Sequence, residues 1–255
     1  MIHRLNSAIA CLSLMIVFLF FRESEHFWGF VLTIVLLFSV ILSCGILFLR
    51  FEYFYPAVFR NTEKEVILTF DDGPDPNYTT SVLDILQKYQ IKALFFVVGD
   101  KALANPEIIQ RMLSEGHQIG NHTQTHPILF ALYAQKKVSE EIDQAEKTIE
   151  GFTPNKLRLF RPPIGYMNPT IARVLRNRKM KIIAWNVRSY DSFKNKEQLL
   201  TRLIRLTKSK SIVLMHDNLA HTSEVLEEYI QRAQSNGIIF ANQEHLKKFI
   251  HEATN

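Results

Sequence analysis

Cysteine is almost missing from this 255-residue chain, and both copies, Cys11 and Cys44, lie inside apolar runs near the N-terminus. The rest of the sequence therefore has no disulfide framework and no thiolate metal site. Long basic runs and interleaved basic and aromatic patterns are also missing. With a net charge of only +5, this argues against a nucleic-acid partner. There is no repeat of fixed period, no low-complexity stretch and no Pro/Gly-rich linker, which excludes a solenoid and a string of loosely tethered modules.

Charge itself is missing from two stretches. Phe27 to Leu49 holds 23 positions without a charge, and Leu5 to Phe21 holds 17. At about 1.5 Å per residue the longer one spans a hydrocarbon core of roughly 30 Å as a helix. The polar segment Arg22-Glu23-Ser24-Glu25-His26 separates them, so the pattern predicts a transmembrane helical hairpin. A cleaved signal peptide is the rival for the first run, but no small-x-small site precedes the second. Phe51, Tyr53, Phe54 and Tyr55 follow Arg50 and read as an interfacial aromatic belt, with a buried domain edge as the alternative. We place the anchor at residues 1–60 and a second, catalytic domain at 61–255.

From Glu65 onward short apolar runs alternate with amphipathic stretches. Strands are predicted at Val66–Phe70, Ala93–Val98, Gln118–Gly120, Leu157–Phe160, Lys181–Trp185, Ile212–Met215 and Ile238–Phe240. Helices fall between them, at Thr80–Tyr89, Pro106–Glu115, Lys136–Ile149, Pro169–Asn177, Lys196–Lys208, Ser223–Asn236 and Gln243–Glu252. Such alternation implies a mostly parallel sheet, and seven units over this length suit a closed or nearly closed α/β barrel. Arg202, Arg205, Lys208 and Lys210 line one helix face, ordinarily a solvated one and otherwise a contact for anionic lipid.

The chemistry gathers at predicted strand ends, where such barrels build active sites. Asp71-Asp72-Gly73-Pro74 puts two carboxylates in a forced turn after an apolar run. The pair either caps the next helix or divides into a metal ligand and a base. A dehalogenase-type phosphatase would separate its acids by one residue. His122-x-x-x-His126, between Gly120-Asn121 and Pro127, cannot continue a long helix, so its imidazoles either pair at the surface or converge on a metal. Arg161 heads the stiff segment Arg161-Pro162-Pro163-Ile164-Gly165; it pairs with some acid, Asp71 in the sharper reading, while the Ile164 amide faces a developing oxyanion. His216 ends the run Ile212–Met215 and is either a satisfied core histidine or a general acid kept protonated by Asp191.

In order, Thr69-Phe70-Asp71-Asp72-Gly73-Pro74, His122-x-x-x-His126, Arg161-Pro162-Pro163-Ile164-Gly165, Trp185 to Asp191 and Leu214-Met215-His216 resemble the motifs of the carbohydrate esterase family 4 polysaccharide deacetylases, over roughly residues 63 to 240. The resemblance implies a distorted (β/α) barrel and a divalent metal, usually zinc. It further implies Asp71 as base, Asp72, His122 and His126 as ligands, Arg161 as partner of the base and His216 as general acid. Two motif positions depart from the family. Arg188-Ser189-Tyr190-Asp191-Ser192 keeps only the second acid of Asp-x-x-Asp-Trp, and Ile164 replaces an aromatic residue.

The expected activity is removal of N-acetyl groups from amino sugars of a membrane-proximal glycan or lipid-linked sugar. The alternatives are an O-acetyl esterase on the same fold and a silent glycan-binding protein. The chain reads as an integral protein of a bacterial cytoplasmic membrane. Arg4, Arg50, Arg60 and Lys64 flank the hairpin outside its loop, which favours a cytoplasmic domain acting on a lipid-linked sugar; an exported polymer such as peptidoglycan requires the opposite face.

Overall fold

A computed structural model of the chain describes residues 2–153 and 156–254. Two apolar helices come first, α1 (Ile2–Phe21) and α2 (Phe27–Leu47). Leu19, Phe20, Trp28, Leu32 and Leu36 are each more than 60% exposed on them. An uncovered helix that is apolar all round needs a surrounding that is not water, and both are long and apolar enough to cross a membrane.

Eight strands follow among the described residues: β1 (Ala57–Val58), β2 (Ile67–Asp71), β3 (Leu94–Val97), β4 (Gln118–Asn121), β5 (Leu159–Phe160), β6 (Lys181–Ile183), β7 (Val187–Arg188) and β8 (Ile212–His216). They form one parallel sheet in the order β1-β6-β5-β4-β3-β2-β8-β7. The sheet curls into a distorted (β/α) barrel with β1 and β7 as its edges. The helices are α3 (Thr79–Lys88), α4 (Gly99–Ala104), α5 (Pro106–Ser114), α6 (Gln135–Glu150), α7 (Pro169–Arg178), α8 (Lys196–Leu206), α9 (Ala220–Ser235) and α10 (Gln243–Thr254).

The period-two alternation of strand side chains divides the core. Ile67, Leu94, Phe96, Ile183 and Ile212 point inward, where Leu246 and Phe249 of α10 close the amino-terminal end of the barrel. Leu68, Phe70, Phe95, Val213 and Met215 point outward under α3, α5, α8 and α9. Each such fully buried side chain contributes roughly 1.5–3 kcal/mol. The inward positions beyond Ile67 on β2 are Thr69 and Asp71, so the apolar interior becomes polar only at the carboxyl ends of the strands.

Three features differ from the sequence reading. Tyr53, Phe54 and Tyr55 are buried instead of forming a membrane belt: Tyr53 lies against Gly45 of α2, the His3 ring of α1 packs on Tyr53 and Phe54, and Arg176 of α7 lies over the Tyr55 ring; only Phe51 is exposed. The Tyr55 hydroxyl donates to the Met180 carbonyl at 2.5 Å, and β1 pairs with β6, so residues 53–58, counted with the anchor, pack into the domain. Ile238–Phe240 makes a single bridge, Phe240 to Val66, because the chain turns directly into α10. The edge strand β7, two residues long, was too short to carry a periodic signal.

Candidate active site

The eight residues singled out from the sequence converge at the carboxyl ends of the strands. Asp71 ends β2 on an inward position. Strand alternation alone would send Asp72 away from it, but Asp72 has φ 72°, and this left-handed turn brings its carboxylate back to the same cleft. Asp72, Thr123, His126, Ile164 and Tyr190, all in loops around this cleft, are non-glycine residues with positive φ. Strain of this kind persists only where surrounding contacts fix it, and it gathers at functional sites. Gly73 is required by packing: a Cβ there would overlap the Asp217 carboxylate.

Arg161 is fully buried, and all three nitrogens of its planar fork donate hydrogen bonds. Nη1 donates to Asp71 Oδ1 at 2.6 Å and to Thr69 Oγ1 at 2.9 Å, while Nε and Nη2 donate to the carbonyls of Ile183 and Ala184 at 2.8 and 3.1 Å. Its guanidinium stacks 4.1 Å from the Phe96 ring centre and 5.4 Å from that of Trp185. Burial pulls the Arg161 pKa down and the Asp71 charge works against it. Removing either partner would leave a buried charge uncompensated.

Asp72, His122 and His126 form a cluster whose ligand atoms all lie within 4.8 Å of one another. His122 Nδ1 is 2.7 Å from the Arg161 carbonyl. A carbonyl only accepts, so Nδ1 carries a proton, and Nε2 is left facing Asp72 Oδ1, 3.3 Å away. His126 Nε2 lies 3.2 Å from the same oxygen. Burial, and then the His122 charge, lower the His126 pKa against the pull of Asp72 and Asp71, which favours the neutral form that metal ligation requires. Asp72 is held well below the usual carboxylate range: burial opposes this, and the His122 hydrogen bond and the charges of His122 and His126 outweigh it. Two ring nitrogens converge on one carboxylate oxygen, and when both rings are neutral this donor set fits a divalent metal in place of the protons that otherwise face Asp72.

Across the cleft, His216 Nδ1 is 2.7 Å from Asp191 Oδ1, and the His216 backbone N–H donates to Oδ2 at 2.7 Å. Burial lowers the His216 pKa, but the Asp191 hydrogen bond and charge outweigh it and raise the pKa to about 9. Ile164, at φ 63°, sits in a tight turn whose hydrogen bonds are donated by Gly165 and Tyr166 to Pro162 and Pro163, so its own N–H lies outside them.

Several supporting residues escaped the sequence reading. Glu141 on α6 accepts from the Gln124 and Thr125 amides at 3.1 and 2.9 Å and from Thr125 Oγ1 at 2.8 Å, holding the loop between the two histidines. Its signal was an acid on the stripe Val138, Ile142, Ala145 and Ile149. Thr222 Oγ1 donates to Asp191 Oδ2 at 2.8 Å, with nothing local to mark it, and Thr69, which opens the first motif without an assigned role, donates from Oγ1 to the Val213 carbonyl at 2.8 Å. Buried Asp217, whose pKa burial pushes up to about 7, accepts from Thr79 Oγ1 at 2.7 Å.

A family model described as polysaccharide deacetylase matches residues 60–183. The peptidoglycan-N-acetylglucosamine deacetylase of Bacillus cereus is 33% identical over 202 residues, covering 75% of this chain and 92% of that protein. The chain belongs to the polysaccharide deacetylase family. It is a hydrolase of the carbohydrate esterase family 4 type. The chitooligosaccharide deacetylase of Sinorhizobium fredii is 34% identical over 154 residues, covering 60% of this chain and 71% of that protein. The peptidoglycan-N-acetylmuramic acid deacetylase PdaC of Bacillus subtilis is 32% identical over 190 residues, but the match covers only 40% of its length. A solved structure of PdaC superimposes with a TM-score of 0.67 at 29% identity, covering 75% of this chain and 93% of that one.

Proposed function

We propose that this deacetylase hydrolyses N-acetyl groups on the amino sugars of a membrane-proximal glycan or glycolipid. The carrying observation is the separation of charges around one cleft: Asp71 against Arg161 on one side, His216 against Asp191 on the other, with the Asp72, His122 and His126 cluster beside them. The relatives named above act on peptidoglycan and chitooligosaccharides, which supports an N-acetylated sugar as substrate.

Asp72, His122 and His126 would hold the divalent metal, zinc by the nitrogen-rich donor set. When bound, the metal supplies a Lewis acid that polarises the acetamide carbonyl and makes water acidic enough to attack. Asp71 takes the proton from the attacking water; its Oδ1 is tied to Arg161, which leaves Oδ2 toward the cleft. The Ile164 N–H donates to the oxyanion that forms on the carbonyl carbon. His216, its Nδ1 fixed by Asp191, gives the proton on Nε2 to the departing nitrogen. The C–N bond breaks, and acetate and a free amine leave.

The hairpin α1–α2 supports an integral membrane location, and the arginines flanking it favour a cytoplasmic active site. The test is acetate release by the metal-loaded protein from an N-acetylated chitooligosaccharide and from an O-acetylated sugar. Release from the first sustains the proposal. Release from the O-acetylated sugar alone makes the protein an esterase, and release from neither removes soluble glycans as substrates.

A further inference from the structure

A second cleft, of about 560 Å³, opens where α2 meets the catalytic loops. We propose that it is a phosphate site, taking the phosphate that joins an N-acetylated amino sugar to a membrane lipid. The inference rests on the deacetylase reading and names the class of its substrate.

Arg50, from the turn after α2, Arg188, from β7, and Arg202, from α8, all line the cleft. Among the described residues none of the three is in an ion pair. Three guanidiniums around one cleft repel each other unless an anion sits between them, and their planar forks match phosphate oxygens. Two are held in place. Arg202 Nε donates to the Arg188 carbonyl at 2.8 Å, and the Arg188 and Arg202 guanidiniums lie 5.1 and 4.6 Å from the Tyr190 ring centre.

The cleft adjoins the catalytic centre through Ile164 and Trp185. Ile164, whose amide faces the oxyanion position in the mechanism above, lines it. Trp185 forms a shared wall, with Arg161 5.4 Å from its ring centre and Arg188 5.7 Å. A 2-acetamido sugar phosphorylated on its anomeric carbon carries acetamide and phosphate on neighbouring carbons. Ile164 and the three arginines line one cleft, the neighbourhood that such a substrate requires of its acetamide and phosphate sites.

The lipid is argued from the other end of the cleft. Leu47 and Phe48, both about half exposed, form its mouth and continue into the uncovered apolar surface of α2. The Met167 N–H donates to the Ile46 carbonyl at 3.0 Å, fixing the end of α2 against the catalytic loop. On loops at the same end of the sheet, Ile128, Leu129, Leu132 and Phe193 are 61–83% exposed. The phosphate therefore lies between an apolar path for a lipid tail and a site for the sugar.

The test uses the full-length, metal-loaded protein in phosphatidylcholine vesicles, with polyprenyl-phosphate-linked N-acetylglucosamine and a soluble N-acetylated chitooligosaccharide as substrates. The readout is the ratio of their kcat/KM values. Arg50→Ala and Arg188→Ala should each lower the ratio about tenfold, Arg188→Lys should lower it less, and Arg173→Ala, beside a separate basic cavity at the foot of α1, should leave it in place. An unchanged ratio in both alanine variants, or an equal fall in Arg173→Ala, overturns the proposal. Adding phosphatidylglycerol to the vesicles should not lower the wild-type ratio; a fall would give the cleft to bulk anionic lipid and overturn its assignment to substrate.

Binding is also read without turnover. Trp28 and Trp185 are the two tryptophans of the chain, so in Trp28→Phe the fluorescence of Trp185 reports on the cleft as the lipid-linked sugar is titrated. A response that Arg50→Ala weakens about tenfold sustains the phosphate site even if neither substrate releases acetate, in which case it is the deacetylase reading that fails. Absence of any response overturns the site.

Discussion

Asp71 and His216 are register partners on adjacent parallel strands, β2 and β8. The pairing puts the proposed base and acid side by side on one floor, each facing its own counter-charge, Arg161 and Asp191. One cleft thus holds both groups, each met by a side chain of opposite sign.

The rate should be bell-shaped in pH, with the alkaline limb set by loss of the His216 proton. In the metal-free protein that group titrates near about 9, because the Asp191 hydrogen bond and charge overcome the effect of burial. A bound divalent cation, repelling the imidazolium, sets the limb of the loaded enzyme lower. Asp191→Asn removes the negative charge and should move the limb to lower pH by a unit or more, about 1.4 kcal/mol per unit. The same linkage governs stability. A raised histidine pKa stabilises the fold fully below about 6.5, and the contribution is lost as pH rises through the folded value near 9. Denaturation midpoints of wild type and Asp191→Asn should therefore differ most at pH 6 and converge above pH 9.

Asp71→Asn should lower kcat by at least about 100-fold, the lower end of what a positioned base contributes, while metal stoichiometry stays near that of wild type. Asp72→Asn should do the opposite first, weakening metal binding and losing activity as a result. Metal content of the two purified variants decides between them, and a reversed pattern would exchange their roles.

His126→Ala should abolish stoichiometric zinc binding and acetate release without unfolding the barrel. Glu141→Ala acts one step further out. It frees the loop that carries both imidazoles and should cost about 10–100-fold in metal affinity, measured by competition with a chromophoric chelator. Undiminished activity of wild type in excess chelator, with metal content measured as zero, would remove the metal from the mechanism.

Phe54→Ala should destabilise the domain by about 3 kcal/mol, the lower end of the range for a buried aromatic side chain, because Phe54 is only 4% exposed. Deletion of residues 1–60 removes β1 and the buried Tyr53, Phe54 and Tyr55, whereas deletion of residues 1–50 keeps them. The shorter deletion should give a folded domain and the longer one a markedly less stable one, compared by urea unfolding in detergent. Equal midpoints would show that this aromatic cluster adds nothing to the domain.

The motifs were legible because each depends on local sequence: an apolar run followed by a turn that cannot continue it. Asp71-Asp72-Gly73-Pro74 and Leu214-Met215-His216 declare their strand ends without help from the rest of the chain. Val187–Arg188 and Ala57–Val58 do not, since a two-residue strand exists only when a neighbour supplies its hydrogen bonds. Ile238–Phe240 erred the other way, having strand composition but little ladder to join. The orientation of Asp72 turned on one backbone angle that sequence alternation misassigns. Glu141, Thr69 and Thr222 act through partners 16 to 144 residues away, a separation at which no spacing pattern survives.

The hydrogen bond from Met167 to Ile46 and the burial of Tyr53 to Tyr55 leave almost no slack between α2 and β1. A catalytic domain mounted in this way cannot sweep a volume of solvent as one on a flexible stalk does. With the hairpin in a bilayer, its encounters become two-dimensional, and turnover should follow the number of substrate molecules per unit area of membrane. If the substrate is the lipid-linked sugar proposed above, diluting it with inert lipid at constant bulk concentration would slow the enzyme, whereas diluting the vesicles in buffer would not.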